Sequence, residues 1–272
     1  MTGQKSAVVL VVRDEVREIA AWLAWYHVLG FDACIVYDDD STDGTWEFLQ
    51  AAARVQDIRL ARTVGERGTG HEPRQNLSYL RALAQYGDEF AWMGFFDADE
   101  YLFLPRDGAV AAFLNRFAAV DAVVVNWCNY GSGGHYLCPL APPFEAYTWH
   151  SNEIQPINRH VNSIVRPERV GPRWTGVHCF DVPLARTRLA NGAPVRWGPH
   201  EGVIDANPDW SAGKLMHYQC RSMEHFIARL KRFPALQGVP ELWRDYDFRQ
   251  VEDRRPLLLG PRVRAQMARL GA

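Results

Sequence analysis

The sequence lacks several features that would assign its class at once. It has no Cys-X-X-Cys pair, and its five cysteines (Cys34, Cys128, Cys138, Cys179, Cys220) are odd in number and scattered. That spacing excludes a disulfide framework or a cysteine-based zinc site and leaves buried thiols as the expectation. It lacks a long apolar run. The first hydrophobic block, residues 7–12, stops at Arg13-Asp14-Glu15, too short for a membrane span and followed by no small-residue cleavage site, so a cytoplasmic protein is expected. It lacks an excess of charge: 30 Lys and Arg against 32 Asp and Glu leave a formal net charge of −2, which argues for no nucleic-acid partner. No internal repeat, low-complexity tract or clean linker interrupts it.

What the chain does have is apolar residues, 47% of 272, enough to bury a large core. Residues 7–12 and 34–37 read as strands covered on both faces, 57–62 as a third strand, and 16–29 and 46–53 as the helices between them, with Gly30 capping the first. The β-α-β-α-β order predicts an α/β fold: a mostly parallel central sheet, with right-handed crossovers and flanking helices. Gly65 to Glu72 reads as a loop and Pro73 as part of the first turn of a helix carrying Leu77, Leu80, Leu83 and Ala84. Further elements are expected at 90–96 (strand), 107–117 (helix) and 121–127 (strand). Prolines then make 131–215 a loop-rich C-terminal half with short strands such as 163–166, and a segment of that length usually builds a site. A helix at 222–233, N-capped by Ser222, places Phe226, Ile227, Leu230 and Phe233 on one face. The expected division is a domain over 1–234 and a C-terminal tail over 235–272. That tail should be helical and solvated, its mixed charge leaving room for peripheral contact with an anionic membrane.

The chemistry centres on Phe96-Asp97-Ala98-Asp99-Glu100. An apolar strand ending in Asp-X-Asp delivers hard oxygen ligands to a sheet edge, where a divalent cation can bridge them to phosphate. Two other strands end in Arg13-Asp14-Glu15 and Asp38-Asp39-Asp40-Ser41. Ligands of an open parallel sheet sit beyond the carboxyl ends of its strands, so all three ends should line one crevice. Each cluster alone also fits an acidic turn or a helix cap; the two aspartate clusters together favour a nucleotide-sugar site.

Ile35-Val36-Tyr37-Asp38-Asp39-Asp40-Ser41-Thr42-Asp43-Gly44-Thr45 and Phe96-Asp97-Ala98-Asp99-Glu100-Tyr101-Leu102 resemble the GT-A glycosyltransferases of the family 2 superfamily. More narrowly, the chain resembles the family 92 (DUF23-like) branch, in Arg13-Asp14-Glu15 with Trp22, Tyr26-His27 and Leu29-Gly30. The likeness continues through Asn126-Trp127, Tyr130-Gly131-Ser132-Gly133-Gly134-His135, Ser163-Ile164-Val165-Arg166-Pro167, His217-Tyr218 and Arg221-Ser222. These blocks span about residues 8–230. The resemblance implies a GT-A fold and inverting transfer from a nucleotide-diphosphate sugar, a UDP-sugar by preference, to a glycan or lipid-linked acceptor with Mn²⁺ or Mg²⁺. It makes Asp97, Asp99 and His217 the metal ligands. The donor-binding set is Arg13, Glu15, Asp39 (toward the base), Arg74, Asp97 and Arg221, with Lys214 also able to reach phosphate. For the catalytic base it points to a carboxylate after the glycine-rich stretch, Glu145 or Glu153, with Asp181 a later candidate. His178 and His200 read as structural hydrogen-bonders or acceptor contacts. Arg221 where the family has lysine, Cys179 where some relatives carry histidine, and the extra acidity of Asp38-Asp39-Asp40 are departures. Competing readings are a nucleotidyltransferase, for which the glycine-poor turn after the first strand is unsuited, and an inactive nucleotide-sugar-binding module.

Overall fold

The computed structural model describes residues 4–65, 70–173, 175–232 and 242–272. Strands β1 (Ser6–Val12) and β2 (Ala33–Asp38) are buried at every position, as their unbroken apolar runs require. Between them runs α1 (Ile19–Leu29), ended by Gly30 at φ 97°, a left-handed cap that glycine adopts without steric cost. It begins three residues after Val16 because the backbone there is fixed elsewhere: Glu15 N–H donates to Thr45 Oγ1 and Val16 N–H to Asp43. Then follow α2 (Thr45–Ala52), β3 (Ile58–Arg62), α3 (His71–Tyr86), β4 (Trp92–Phe95), β5 (Glu100–Phe103), α4 (Val110–Asn115) and β6 (Ala122–Asn129). In the second half lie α5 (Pro143–Ala146), β7 (Trp149–His150), β8 (Val161–Val165), β9 (Thr187–Leu189), β10 (Lys214–His217), α6 (Met223–Arg232), α7 (Leu242–Tyr246), β11 (Val251–Glu252) and α8 (Gly260–Leu270).

The main sheet has the order β3-β2-β1-β4-β8-β6-β10-β5, with β9 beside β6. Its first four strands are parallel, as the α/β pattern predicts. The rest departs from that pattern. β8 enters antiparallel between β4 and β6, and β10 joins β6 in parallel and β5 in antiparallel. The stretch expected to be mostly loop thus contributes two fully buried strands to the sheet.

Three further expectations change. The apolar run after Phe90 is two strands, because Glu100 turns the chain: its carboxylate accepts the Asp97 N–H at 2.8 Å and its own N–H donates to Asp97 O at 3.0 Å. Helix α3 starts at His71, inside the segment expected to be loop (residues 66–69 of which lie outside the described set), and it buries Arg74, Gln75, Ser78, Tyr79 and Ala82 while Leu77 and Leu80 stay exposed. The C-terminal tail is not a solvated appendage where it is described. Val263 and Leu270 of α8 are buried in the main core, β11 pairs with β7, and Asp253 meets the buried Lys214 ammonium at 2.9 Å. Ser222 does cap α6, accepting the His225 N–H at 3.2 Å; Phe226 on that helix is buried while Ile227 is exposed. Phe233, expected on the same face, lies outside the described residues.

Candidate donor and metal site

The parallel pairing of β1 with β2 and with β4 sets their carboxyl ends side by side, and hydrogen bonds knit them together. Asp14 accepts the Thr42 N–H at 2.7 Å, and Asp14 N–H donates to Ser41 Oγ at 2.9 Å. Among the described residues only three non-glycine positions take positive φ: Asp14 (52°), Asp40 (57°) and Arg221 (50°). Two lie at these strand ends and the third is ion-paired to them. Left-handed backbone costs a non-glycine residue free energy, so its concentration at one edge marks a place held in shape for something other than stability.

Helix α1 fixes the Asp-X-Asp turn. Trp22 Nε1 donates to Asp97 O at 2.9 Å, Trp25 Nε1 to Leu102 O at 2.8 Å, and Tyr26 Oη to Glu100 O at 3.0 Å. Positions 22, 25 and 26 share a helix face. A large aromatic with a polar tip is the residue type that can fill the core and still hold a backbone carbonyl.

On this frame Asp99 faces His217 from the end of β10, Nε2 to Oδ1 3.6 Å, with Arg229 of α6 at 4.0 Å. Burial opposes ionisation of Asp99, but His217, then Arg221 and Arg229, overcome it and hold the carboxyl well below the usual range. Asp97 has the opposite fate. Burial and then the neighbouring Asp99 charge raise its pKa, against the weaker pull of His217 and of His71. Its Oδ1 accepts one hydrogen bond, from Gln75 at 2.7 Å. Beneath both, Glu100 is wholly buried and its pKa is raised well above normal by burial, then by Asp97.

His217 thus lies against Asp99, with Asp97 two positions away and within electrostatic reach of both, although the ligand atoms of the three do not all fall within 4.8 Å of one another. Two carboxylates, one electrostatically undercompensated, beside an imidazole form a donor set suited to Mn²⁺ or Mg²⁺. A different trio, Glu18, Cys138 and His225, has ligand atoms within 4.8 Å of one another. The Arg221 guanidinium already lies 2.8 Å from Glu18 and 2.7 Å from His225 Nε2, so a cation is built into that cluster.

The other candidates divide. Asp39 is fully buried and its carboxylate is saturated: Oδ1 accepts Thr63 Oγ1 (2.9 Å) and Arg74 Nε (2.6 Å), and Oδ2 accepts Arg74 Nη2 (2.9 Å) and His71 (2.8 Å). Burial resists its charge, yet His71, Arg74 and Thr63 hold its pKa far below normal. Asp38, next to it, is ion-paired to Arg62. Arg221, wholly buried, binds Glu15 at 2.7 Å, and Arg13 is a surface residue near Asp14. Lys214 is sealed in the core with Asp253 and Tyr130 Oη. Glu145 is clamped by Arg264 of α8 and Glu153 lies on an exposed turn. Asp181 pairs with Arg173. None of these three carboxylates has a contact with the Asp97, Asp99 and His217 group. Residues not singled out from the sequence for this site do: Gln75 bonds Asp97 and Arg229 reaches Asp99, while His71 acts on Asp97 through its charge. Glu72-Pro73-Arg74 as a helix start was the one available signal for His71 and Gln75; Arg229 depends on how α6 folds back, which no local pattern encodes.

The family model for glycosyltransferase family 92 matches residues 9–181. A family 92 protein of Arabidopsis thaliana and one of Ricinus communis are each 24% identical to this chain over 247 residues, covering 86% of it but 38% of the relative. The chain thus spans well under half the length of these curated relatives. Among solved structures, Staphylococcus aureus TarS 1–349 in complex with UDP-GlcNAc overlaps 60% of this chain and 45% of its own, at 17% identity and a TM-score of 0.38. Mycobacterium tuberculosis glucosyl-3-phosphoglycerate synthase with Mn²⁺, UDP and phosphoglyceric acid overlaps 44% and 42%, at 18% and 0.29. With a family model covering well over half of its residues, the chain belongs to glycosyltransferase family 92.

Proposed function

We propose that this chain is the donor-binding and catalytic domain of a metal-dependent, inverting glycosyltransferase that uses a nucleotide-diphosphate sugar, a UDP-sugar by preference, and delivers the sugar to a glycan or lipid-linked acceptor. Family membership supports the reaction class. The observation that supports the metal-dependent reading is the approach of His217, from a distant stretch of sequence, to Asp99 of the Asp-X-Asp turn, with Asp97 feeling the charge of both.

In this reading Asp97, Asp99 and His217 hold the cation, whose chemistry is Lewis-acid stabilisation of the departing diphosphate charge. The surrounding residues make that possible. Gln75 orients Asp97 through its amide, and His217 with Arg229 keeps Asp99 ionised down to low pH. Asp39 has no lone pair to spare for a nucleobase. Its role is to fix Arg74 and His71 at the crevice wall, and direct base contact would require one of its four bonds to be exchanged. Arg221 joins Glu15 and Glu18 of the first strand end to the start of α6, closing the crevice on that side. Among the described residues no helix is long and apolar enough to cross a membrane.

The test is UDP release from UDP-glucose, UDP-galactose and UDP-GlcNAc with and without Mn²⁺, alongside calorimetric UDP binding. Mn²⁺-dependent release or binding with at least one donor supports the reading. Binding without release identifies an inactive module, and neither binding nor release with any donor overturns the assignment.

A further inference from the structure

Glu145, Glu153 and Asp181 have no hydrogen bond or ion pair to Asp97, Asp99 or His217 among the described residues, whereas the indole packed on His217 also packs on the His178 ring. Trp127 Nε1, which can only donate, is 2.9 Å from the atom assigned as Asn162 Oδ1, so that atom must be the oxygen. The amide nitrogen of Asn162 then donates to Phe95 O at 3.1 Å and to Glu100 Oε2 at 3.0 Å, both acceptors. The same Oδ1 lies 3.1 Å from His178 Nδ1. Facing a carbonyl oxygen, Nδ1 must carry the proton, and the lone pair is left on Nε2, which has no hydrogen-bond partner among the described residues.

The ring is held as well as oriented. Its backbone carbonyl accepts Ser163 Oγ at 2.8 Å, and Gly202 at φ +93° approaches so closely that a Cβ there would lie 3.3 Å from the His178 Cβ. Its edge meets the Trp127 indole at 82°, with centroids 5.3 Å apart, and the same indole lies against His217 at 4.3 Å and stacks on His160 at 4.8 Å. One tryptophan therefore positions both the imidazole beside Asp99 and that of His178. Glu100, Asn162 and His178 form a relay that begins at the Asp97 backbone N–H.

Resting on the glycosyltransferase reading above, we infer that His178 is the general base of the transfer. Nε2 accepts the proton of the attacking hydroxyl as its oxygen bonds to the anomeric carbon. The bond from that carbon to the diphosphate breaks, its electron pair leaving with the nucleotide, and the imidazolium later returns its proton to solvent. The groups facing His178 favour a neutral base. Burial first, then the neighbouring imidazoles of His160, His217 and His200, lower its pKa to about 4, so the ring is unprotonated at neutral pH, at a cost in basicity relative to a base whose pKa matches the working pH.

The experiment is Mn²⁺-dependent hydrolysis of UDP-glucose, UDP-galactose and UDP-GlcNAc, with water as the acceptor. His178→Asn keeps an amide donor for Asn162 and deletes Nε2, while His178→Gln deletes Nδ1 and leaves a polar tip near Nε2. Both variants should lose about 100-fold or more in kcat while UDP affinity and KM change little, and added imidazole should restore part of the loss in His178→Asn. Hydrolysis by His178→Asn within threefold of wild type, or an unchanged acidic limb in its pH profile, overturns the base assignment and leaves the transferase reading intact. A wild-type protein that neither binds UDP nor releases it from any of the three donors overturns the transferase reading itself, and the base with it.

Discussion

Two acidic strand ends on the same sheet edge, separated by β1, are treated in opposite ways. After β2, Asp38 and Asp39 are buried and neutralised, by Arg62 in one case and by Arg74, His71 and Thr63 in the other. After β4, Asp99 has one imidazole at 3.6 Å and one guanidinium at 4.0 Å, while Asp97 has only the Gln75 amide, and burial followed by the Asp99 charge raises its pKa. The Asp39 carboxylate is electrostatically complete, although Asp38 beside it keeps one buried oxygen without a hydrogen bond. Asp97 is the undercompensated member of the second end, so a cation has more reason to bind there than at Asp39. Sequence alone ranks the two equally, since both are short acidic runs after an apolar strand.

The largest effect that would break this comparison is at the completed end. Arg74→Met leaves the Asp39 carboxylate buried with two of its four partners, and losing one member of a buried pair costs about 3–5 kcal/mol. Chemical denaturation should show that loss, and Asp39→Asn added to it should recover part. If Arg74→Met unfolds like wild type, Asp39 is not held as the geometry describes.

Next in size is the uncompensated end. Asp99→Ala should weaken Mn²⁺-dependent UDP binding by about 100-fold, since even residues that merely orient metal ligands are worth 10- to 100-fold. The metal-free variant should also melt lower at neutral pH, because the depressed pKa of Asp99 means that its charge stabilises the fold there. Calorimetry with and without Mn²⁺ separates the two quantities. A variant that binds UDP with wild-type metal dependence would remove Asp99 from the ligand set.

How much of this was legible beforehand follows the range of the interactions. The parallel half of the sheet was readable because β1 and β2 are buried on both faces and so appear as unbroken apolar runs. The positions of Asp97 and Asp99 followed, since strand ends define the crevice. The antiparallel insertion of β8 was not readable: Val161–Val165 is five residues long, and its neighbours in the sheet come from β4 and β6 rather than from adjacent sequence. With β8 comes Asn162, and with Asn162 the orientation of His178. The tail misled for a related reason. Its charges looked like a solvated surface, yet Asp253 is there to pair with Lys214, a lysine buried by strand pairing 39 positions earlier.

The smallest expected effect is also the most discriminating, because its sign differs between the two strand ends. A carboxyl whose folded pKa is raised binds its proton more tightly in the folded state, so it adds stability only below its unfolded pKa and withdraws it as pH rises through the folded value. Above its folded pKa the Asp97 charge is therefore a net burden. Asp97→Asn, which keeps the shape and can still bond Gln75 after an amide rotation, should raise the stability of the metal-free protein on the alkaline side of that pKa. The gain should fade as pH falls through the raised folded pKa and be gone below the unfolded value of about 4. Asp39→Asn should do the reverse. The folded pKa of Asp39 is depressed, so its charge contributes stability above its unfolded pKa, and the variant is weaker at pH 7, its deficit shrinking as acid protonates the wild type. Melting curves of the two variants from pH 3 to 7.5 without metal would display the opposite slopes. Parallel slopes would mean that the two ends are electrostatically alike and that the choice of Asp97 and Asp99 as the cation site has lost its physical basis.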